Sequence, residues 1–297
     1  MAEQPGGAAR RPPRLLLTLL GDYWWRRVEP LPSAALVSLL GEFGVSDAAA
    51  RAALSRLTRN GLLVASRSGR RTYHRLSERA AEVLDEGATR IFSFGRTTRP
   101  WDGTWSVVAF SVPERDRPAR HALRERLRWL GFAPLYDGLW VAPWDHGHRA
   151  VTHLAELGIA NATVFRASTV PGARRLPQHA WDLDDLHGRY RAFIATANAL
   201  AARISDGEVP PADALVARTH VMDQWRAFPA LDPELPDDLL PPHWPRGEAR
   251  RLFIATYDRL GPLAVHRVRQ IIAAHAPELA AHATYHDSDA DLADRPS

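Results

Sequence analysis

Residues 44–76, GVSDAAARAALSRLTRNGLLVASRSGRRTYHRL, run from a helix-length amphipathic stretch into two short β-prone stretches, and this order restricts the fold more than any other part of the chain. Ser46 is placed to accept hydrogen bonds from backbone N–H groups that lack partners in a first helical turn. Ala50, Ala53, Leu54 and Leu57 recur at i, i+3, i+4 and i+7, which predicts a single buried stripe. Arg51, Ser55, Arg56 and Arg59 fall off that stripe. Asn60-Gly61 ends the helix, because both residue types accept the left-handed conformation at that position. Residues 62–66 and 72–76 then read as strands joined by Arg67-Ser68-Gly69-Arg70-Arg71, a hairpin with a basic tip. A helix sized for the major groove beside a basic hairpin is the pattern of a winged helix-turn-helix that binds duplex DNA. The candidate DNA-binding residues are therefore Ser46, Arg51, Ser55, Arg56, Arg59, Arg67, Arg70 and Arg71. Arg51 or Arg56 would read base edges through paired hydrogen bonds, and Arg59 would meet phosphate. The three wing arginines would meet the backbone or the minor groove.

The charge balance agrees with that placement. The net charge is only +4, but residues 1–99 hold 16 Arg against 9 acidic residues, whereas the remainder holds 22 against 25. The positive field thus belongs to the first third. All basic residues are Arg, which reads as codon bias rather than selection for binding. The absence of Cys excludes disulfides, thiol catalysis and Cys-based zinc sites. Arg10, Arg11 and Arg14 before Leu15–Leu20 imitate a signal peptide, but the apolar run is short and broken by Gly21-Asp22. No stretch is long enough to span a bilayer, so a cytoplasmic protein without membrane contact is expected.

The rest of the chain predicts an α+β multidomain protein. Residues 1–13 are expected to be a disordered tail and residues 14–96 the winged helix-turn-helix domain. In it, a first helix covers residues 15–25, Ser33 caps a second to about residue 43, and Ser77 caps a fourth over residues 78–92. Residues 97–103 read as a linker. Residues 97–176 predict a ferredoxin-like βαββαβ domain: an apolar strand over 105–112, a helix with Leu123, Leu127 and Leu130 inward, and two strands around Asp137-Gly138 as a type I′ turn. A second helix with Val151, Leu154 and Ala155 inward and a strand over 162–166 complete it. Residues 177–286 predict a helical C-terminal domain. There the Pro-rich residues 228–245 pack as an ordered strap, and the last helix, over 248–274, bends at Gly261-Pro262. Residues 287–297 are expected to fray.

Other groups carry less. Tyr23, Trp24 and Trp25 read as an anchor for the first helix, with stacking on an aromatic ligand as the alternative. Asp145, His146, His148 and His153 show no regular i, i+4 pairing and read as solvated rather than metal-binding. Arg174 and Arg175 read as solvated linker residues, with a CoA phosphate as the alternative contact. No Walker loop, dinucleotide fingerprint or nucleophile–base pair is visible, so neither a cofactor nor catalysis is expected.

Several strings together resemble the PaaX family, bacterial repressors of phenylacetic acid catabolism. They are the early YWW, GVSDAAARAALSRLTRNGLL, GRRTYHRL, WDGTWSVVAFSVPE, LGFAPLYDGLWVAP, AWDLDDLHGRYRAF and FPALDPELPDDLLPPHWP, in that order over nearly the whole chain. The resemblance implies a homodimeric repressor at a double-stranded DNA operator near catabolic genes. It also implies release by an aryl-acyl-CoA effector such as phenylacetyl-CoA. The effector residues are unassigned, and the boundary between the middle and C-terminal domains is the expected place. The central segment is separately similar to the small CRISPR-associated ferredoxin-like nuclease subunit, which gives a metal-dependent nuclease as the alternative function. The position matching that family's metal-binding acid is Ser111, and a hydroxyl does not replace a carboxylate on a hard cation.

Overall fold

The computed structural model describes residues 12–96, 100–170, 172 and 176–288. Residues 1–11 of the expected disordered tail, linker residues 97–99, Arg174, Arg175 and residues 289–297 of the expected frayed end lie outside the described residues, whereas Ser288, expected to fray, is buried and bonded to Asp258.

The chain opens with α1 (Pro12–Tyr23), β1 (Leu31–Pro32), α2 (Ser33–Gly41), α3 (Asp47–Arg59), β2 (Leu63–Ser68), β3 (Arg71–Leu76) and α4 (Glu78–Ser93). α1 starts ahead of its apolar run because proline fits a first helical turn, where its missing N–H costs nothing. Ser33 does not cap α2: Pro32 holds that position, and the Ser33 hydroxyl donates to the Thr72 carbonyl at 3.0 Å. Ser77 does cap α4, accepting from Ala80 N–H at 3.1 Å. The strands form an antiparallel sheet in the order β1-β3-β2.

Next come β4 (Trp105–Phe110), α5 (Arg117–Trp129), β5 (Ala133–Tyr136), β6 (Leu139–Ala142), α6 (Gly147–Glu156) and β7 (Ala162–Ala167). Their sheet is antiparallel in the order β5-β6-β4-β7. β4 is apolar apart from the buried Ser106 because both faces are covered. Val108 and Phe110 pack with Leu123, Leu127 and Leu154 of the two helices, while Trp105 and Val107 pack with Trp101, Trp181 and Leu239. The Asp137-Gly138 turn is not type I′. That turn needs positive φ at both central residues, and neither has it. Gly138 is required by close approach instead: a Cβ would stand 2.6 Å from the Phe110 carbonyl oxygen, and Gly138 O accepts from Phe110 N–H at 2.9 Å. On α6 the inward residues are Ala150 and Leu154; Val151 and Ala155, both expected inside, are exposed.

The remaining elements are α7 (Leu183–Ser205), α8 (Pro211–Trp225), the one-turn α9 (Phe228–Leu231) and α10 (Arg246–Ala273). The Pro-rich strap is ordered. Within it Asp232 is buried, accepting from the Tyr190 hydroxyl at 2.6 Å and from Arg246 at 3.3 Å. α10 continues as helix through Gly261-Pro262, and Gly261 is a packing notch in which a Cβ would collide with the Tyr285 ring. Among the described residues, no helix is long and apolar enough to cross a membrane.

The chain folds into two compact units. One is Met1–Phe94 with Phe193–Pro229 and Glu248–Ser297; the other is Gly95–Ala192 with Ala230–Gly247. In the first, Leu16 and Leu19 of α1, Leu40 of α2 and Leu54 of α3 share one core with Val265, Val268 and Ile272 of α10. The first 94 residues therefore do not close a core of their own. Below α1 the fully buried Arg218 donates to the carbonyls of Tyr257 at 3.1 Å and His286 at 2.6 Å, with its guanidinium 3.7 Å from the Tyr257 ring centre. It lies 3.9 Å from the Asp22 carboxylate, which accepts from the Tyr257 hydroxyl at 2.8 Å. Burial raises the pKa of Asp22, and Arg218 opposes that rise.

Candidate nucleic-acid interface

α3 begins where Gly44, at φ +74°, turns the chain out of α2, and Ser46 accepts from Ala49 N–H at 3.4 Å as the cap. Ala50, Ala53, Leu54 and Leu57 are all buried, as their spacing predicts. At about 100° per residue, Arg51, Ser55, Arg59 and Arg56 then span a continuous arc of about 140° on the other side. All four are exposed. Arg51 makes an i, i+4 pair with Asp47 at 3.8 Å, both well exposed. Among the described residues, no acidic side chain lies within ion-pair distance of Arg56 or Arg59, so their charge faces solvent uncompensated. Gly61, at φ +69°, ends the helix.

The hairpin is tighter than its sequence suggests. Pairing continues to Ser68↔Arg71, leaving Gly69-Arg70 as a two-residue turn. Gly69, at φ +58°, is the first central residue, the position that a type II′ turn gives to glycine. Because strand side chains alternate, Arg67 shares a face with Ala65 and the buried Leu63, whereas Arg71 pairs with Ser68 on the opposite face. Arg67, Arg70 and Arg71 are exposed, and among the described residues none has an acidic partner. The eight candidates thus occupy one helix face, its capping turn and the tip of the adjoining hairpin.

Contacts remote in sequence fix these elements. Arg267 of α10 grips Glu42 at the end of α2 with two hydrogen bonds, 2.9 and 2.8 Å, which holds the turn leading into α3. At the other end of α3, Ser77 Oγ donates to the Gly61 carbonyl at 2.7 Å and Arg79 donates to the Asn60 carbonyl at 3.4 Å. His74 of β3 is buried opposite Ala65, and burial lowers its pKa. Sequence reasoning missed Glu42–Arg267, since nothing local marks a partner 225 positions away.

The other groups separate clearly. Tyr23 and Trp24 are core residues, and Trp24 Nε1 donates to the Glu29 carbonyl at 2.9 Å. Trp25 is only partly covered: its Nε1 donates to Asp85 at 2.6 Å and its ring meets His286 edge-on at 4.7 Å. Asp145 pairs with Arg166 at 3.2 Å, His146 lies just before α6, and His148 and His153 lie on it, His153 3.3 Å from Glu156. Among the described residues, no three His, Asp or Glu groups are arranged to hold a metal ion. Ser111 follows β4 and donates its N–H to the Asn161 carbonyl at 3.0 Å.

Comparison with known proteins places these features in a family. Residues 11–80 match the family model described as PaaX-like protein. Residues 98–178 match the PaaX protein central Cas2-like domain, and residues 181–270 the PaaX-like protein C-terminal domain. The chain is 28% identical over 260 residues to the transcriptional repressor PaaX of Escherichia coli (strain K12), covering 84% of this chain and 81% of that one. A solved structure, the uncharacterized protein Rv0674 from Mycobacterium tuberculosis, aligns with a TM-score of 0.54 at 23% identity, over 85% of this chain and 98% of that one. The last likeness speaks for the fold alone.

Proposed function

The chain belongs to the PaaX family, and from that premise we propose that it is a DNA-binding transcriptional repressor of a phenylacetate-type catabolic operon, released by an aryl-acyl-CoA such as phenylacetyl-CoA. Residues 14–96 act as a winged helix-turn-helix, with α3 as the recognition helix and β2–β3 as the wing. Residues 97–176, whose strand order is that of a ferredoxin-like sheet, and residues 177–286 set protomer spacing and hold the effector. The repressor is a homodimer, so its operator is a near-palindrome with half-sites about one helical turn apart, or a multiple of it. It performs no catalysis.

One observation carries this reading: the exposed arc of α3, with Arg56 and Arg59 free of acidic partners among the described residues, adjoins a basic hairpin tip. A guanidinium donates two hydrogen bonds to guanine O6 and N7, whereas the wing's charges attract any phosphate. In this arrangement Arg51 and Arg56 read bases, Ser55 supports them, and Arg59, Arg67, Arg70 and Arg71 bind backbone or minor groove. Ser46, its hydroxyl engaged in the helix cap, meets phosphate through the first turn. The effector acts only through its differential affinity for the two conformations of the dimer. The test is a mobility shift on the DNA upstream of the protein's own gene against scrambled duplex, challenged with phenylacetyl-CoA, phenylacetate and CoA. Preference for the upstream DNA and release by the thioester alone are expected. Equal binding to both duplexes would overturn the reading.

A further inference from the structure

A cavity of about 230 Å³ opens to solvent between α1, α4, α8 and α10, within the unit that carries α3. Its walls are apolar: Leu17 of α1, Val83, Leu84 and Ile91 of α4, and Met222 of α8. The indole of Trp25, fixed through Asp85 and His286, completes the lining. Glycine makes the space, since a Cβ at Gly87 on α4 would find nothing within 4 Å. Arg14, Asp22, Arg226 and His286 supply the polar part of the lining, and Arg226 is held by a 2.5 Å hydrogen bond to Thr18 Oγ1 and an ion pair to Asp223.

Size and charge narrow the occupant. The volume exceeds the ~150 Å³ at which an apolar cavity in a protein takes up benzene. Of the charged lining residues, Arg226 is matched by Asp223 and Asp22 by Arg218, whereas Arg14 is exposed and has no acidic partner among the described residues. The unmatched charge is a cation, so the complementary head is an acceptor. We propose that this cavity binds a small aromatic molecule through its ring, with a carboxylate or thioester carbonyl directed at Arg14. The inference rests on the effector-responsive reading above and gives that effector's acyl end a seat; a longer tail leaves through the open mouth. The seat is not at the boundary of the middle and C-terminal segments, where sequence reasoning looked. It lies between α1, whose leucines share the core of α3, and α4, which continues directly from the wing. A ligand that spreads these two helices displaces α3 and wing together.

The test uses the full chain and calorimetric titration with phenylacetate, phenylacetyl-CoA and phenethylamine, the last having a ring of the same size but a cationic head. The acid or the thioester should bind and the amine should not; which of the first two binds tighter identifies the source. Gly87→Leu fills the space from a position where a side chain fits the helix, and should weaken binding by at least about tenfold while leaving the melting temperature unchanged or higher. Should that variant fail to fold, Ala88→Leu on the same wall replaces it. Arg14→Gln should weaken the acid and the thioester selectively. Wild-type protein that binds neither, or a filled variant that binds as wild type does, would overturn the proposal. A mobility shift with the same proteins separates the two readings. A filled variant that still grips the operator but ignores the thioester supports both. Wild-type protein that binds ligand in calorimetry yet shows no operator preference sinks the repressor and leaves the cavity.

Discussion

Side chains of one type are sorted by their neighbours. Arg51 carries an exposed pair to Asp47, worth well under 1 kcal/mol in water, which leaves its guanidinium available to a partner. Arg51→Ala should cost about 1–3 kcal/mol on the operator and almost nothing on random duplex. Arg70→Ala should instead weaken both duplexes alike and lower the slope of log affinity against log salt by about 0.9. Titrations at several salt concentrations separate the two, and a uniform loss for the Arg51 variant would remove it from base readout. Glycines divide similarly. Gly138→Ala pushes a Cβ onto the Phe110 backbone and should destabilise by about 1–3 kcal/mol in urea denaturation. Had the turn been type I′, the cost would have come from positive φ, and Asn would have rescued it; here Asn should be as harmful as Ala.

At the scale of elements, the hairpin depends on a buried imidazole. His74 pairs with Leu31 of β1 on one side and Ala65 of β2 on the other, and burial disfavours its charged form. Its folded pKa therefore lies below the unfolded value of about 6.5. The unfolded chain takes up a proton that the folded chain refuses, so this contribution is full above that value and falls as pH drops toward the folded pKa. Urea midpoints should decline between pH 7.5 and 5.5, and His74→Phe should reduce the decline. An unchanged decline in the variant would mean that other groups carry it. The caps of α3 and α4 were legible because Ser46 and Ser77 bond within three residues of themselves. The caps that fail or surprise, Ser33 and the α2 end at Glu42, depend on β3 and α10.

For the whole molecule, the leading observation is that α1, α2 and α3 share a core with α10. Arg218 is the polar centre of that union, joining α1 to α10 and to the segment at His286. Arg218→Met strands Asp22 in the interior and should cost about 3–5 kcal/mol. Adding Asp22→Asn should return part of it, since a neutral amide still pairs with the Tyr257 hydroxyl. Denaturant midpoints of the two variants and their combination form the cycle, and strict additivity would contradict coupling between the two sites. Operator affinity in the combined variant should recover along with stability.

Periodicity and local hydrogen bonding settled much before any folding: the stripe of α3, its caps, the two basic strands, the βαββαβ order and the ordered strap all follow from residues a few positions apart. Those forces act over one or two turns, so they read directly from neighbouring letters. Tertiary packing alone decided the rest. It shortened the β2–β3 turn to Gly69-Arg70, made Gly138 a steric necessity, kept α10 helical through Pro262, and joined Glu42 to Arg267. It also opened the space under Trp25, because a cavity is what four separate helices fail to fill, and no single segment encodes that.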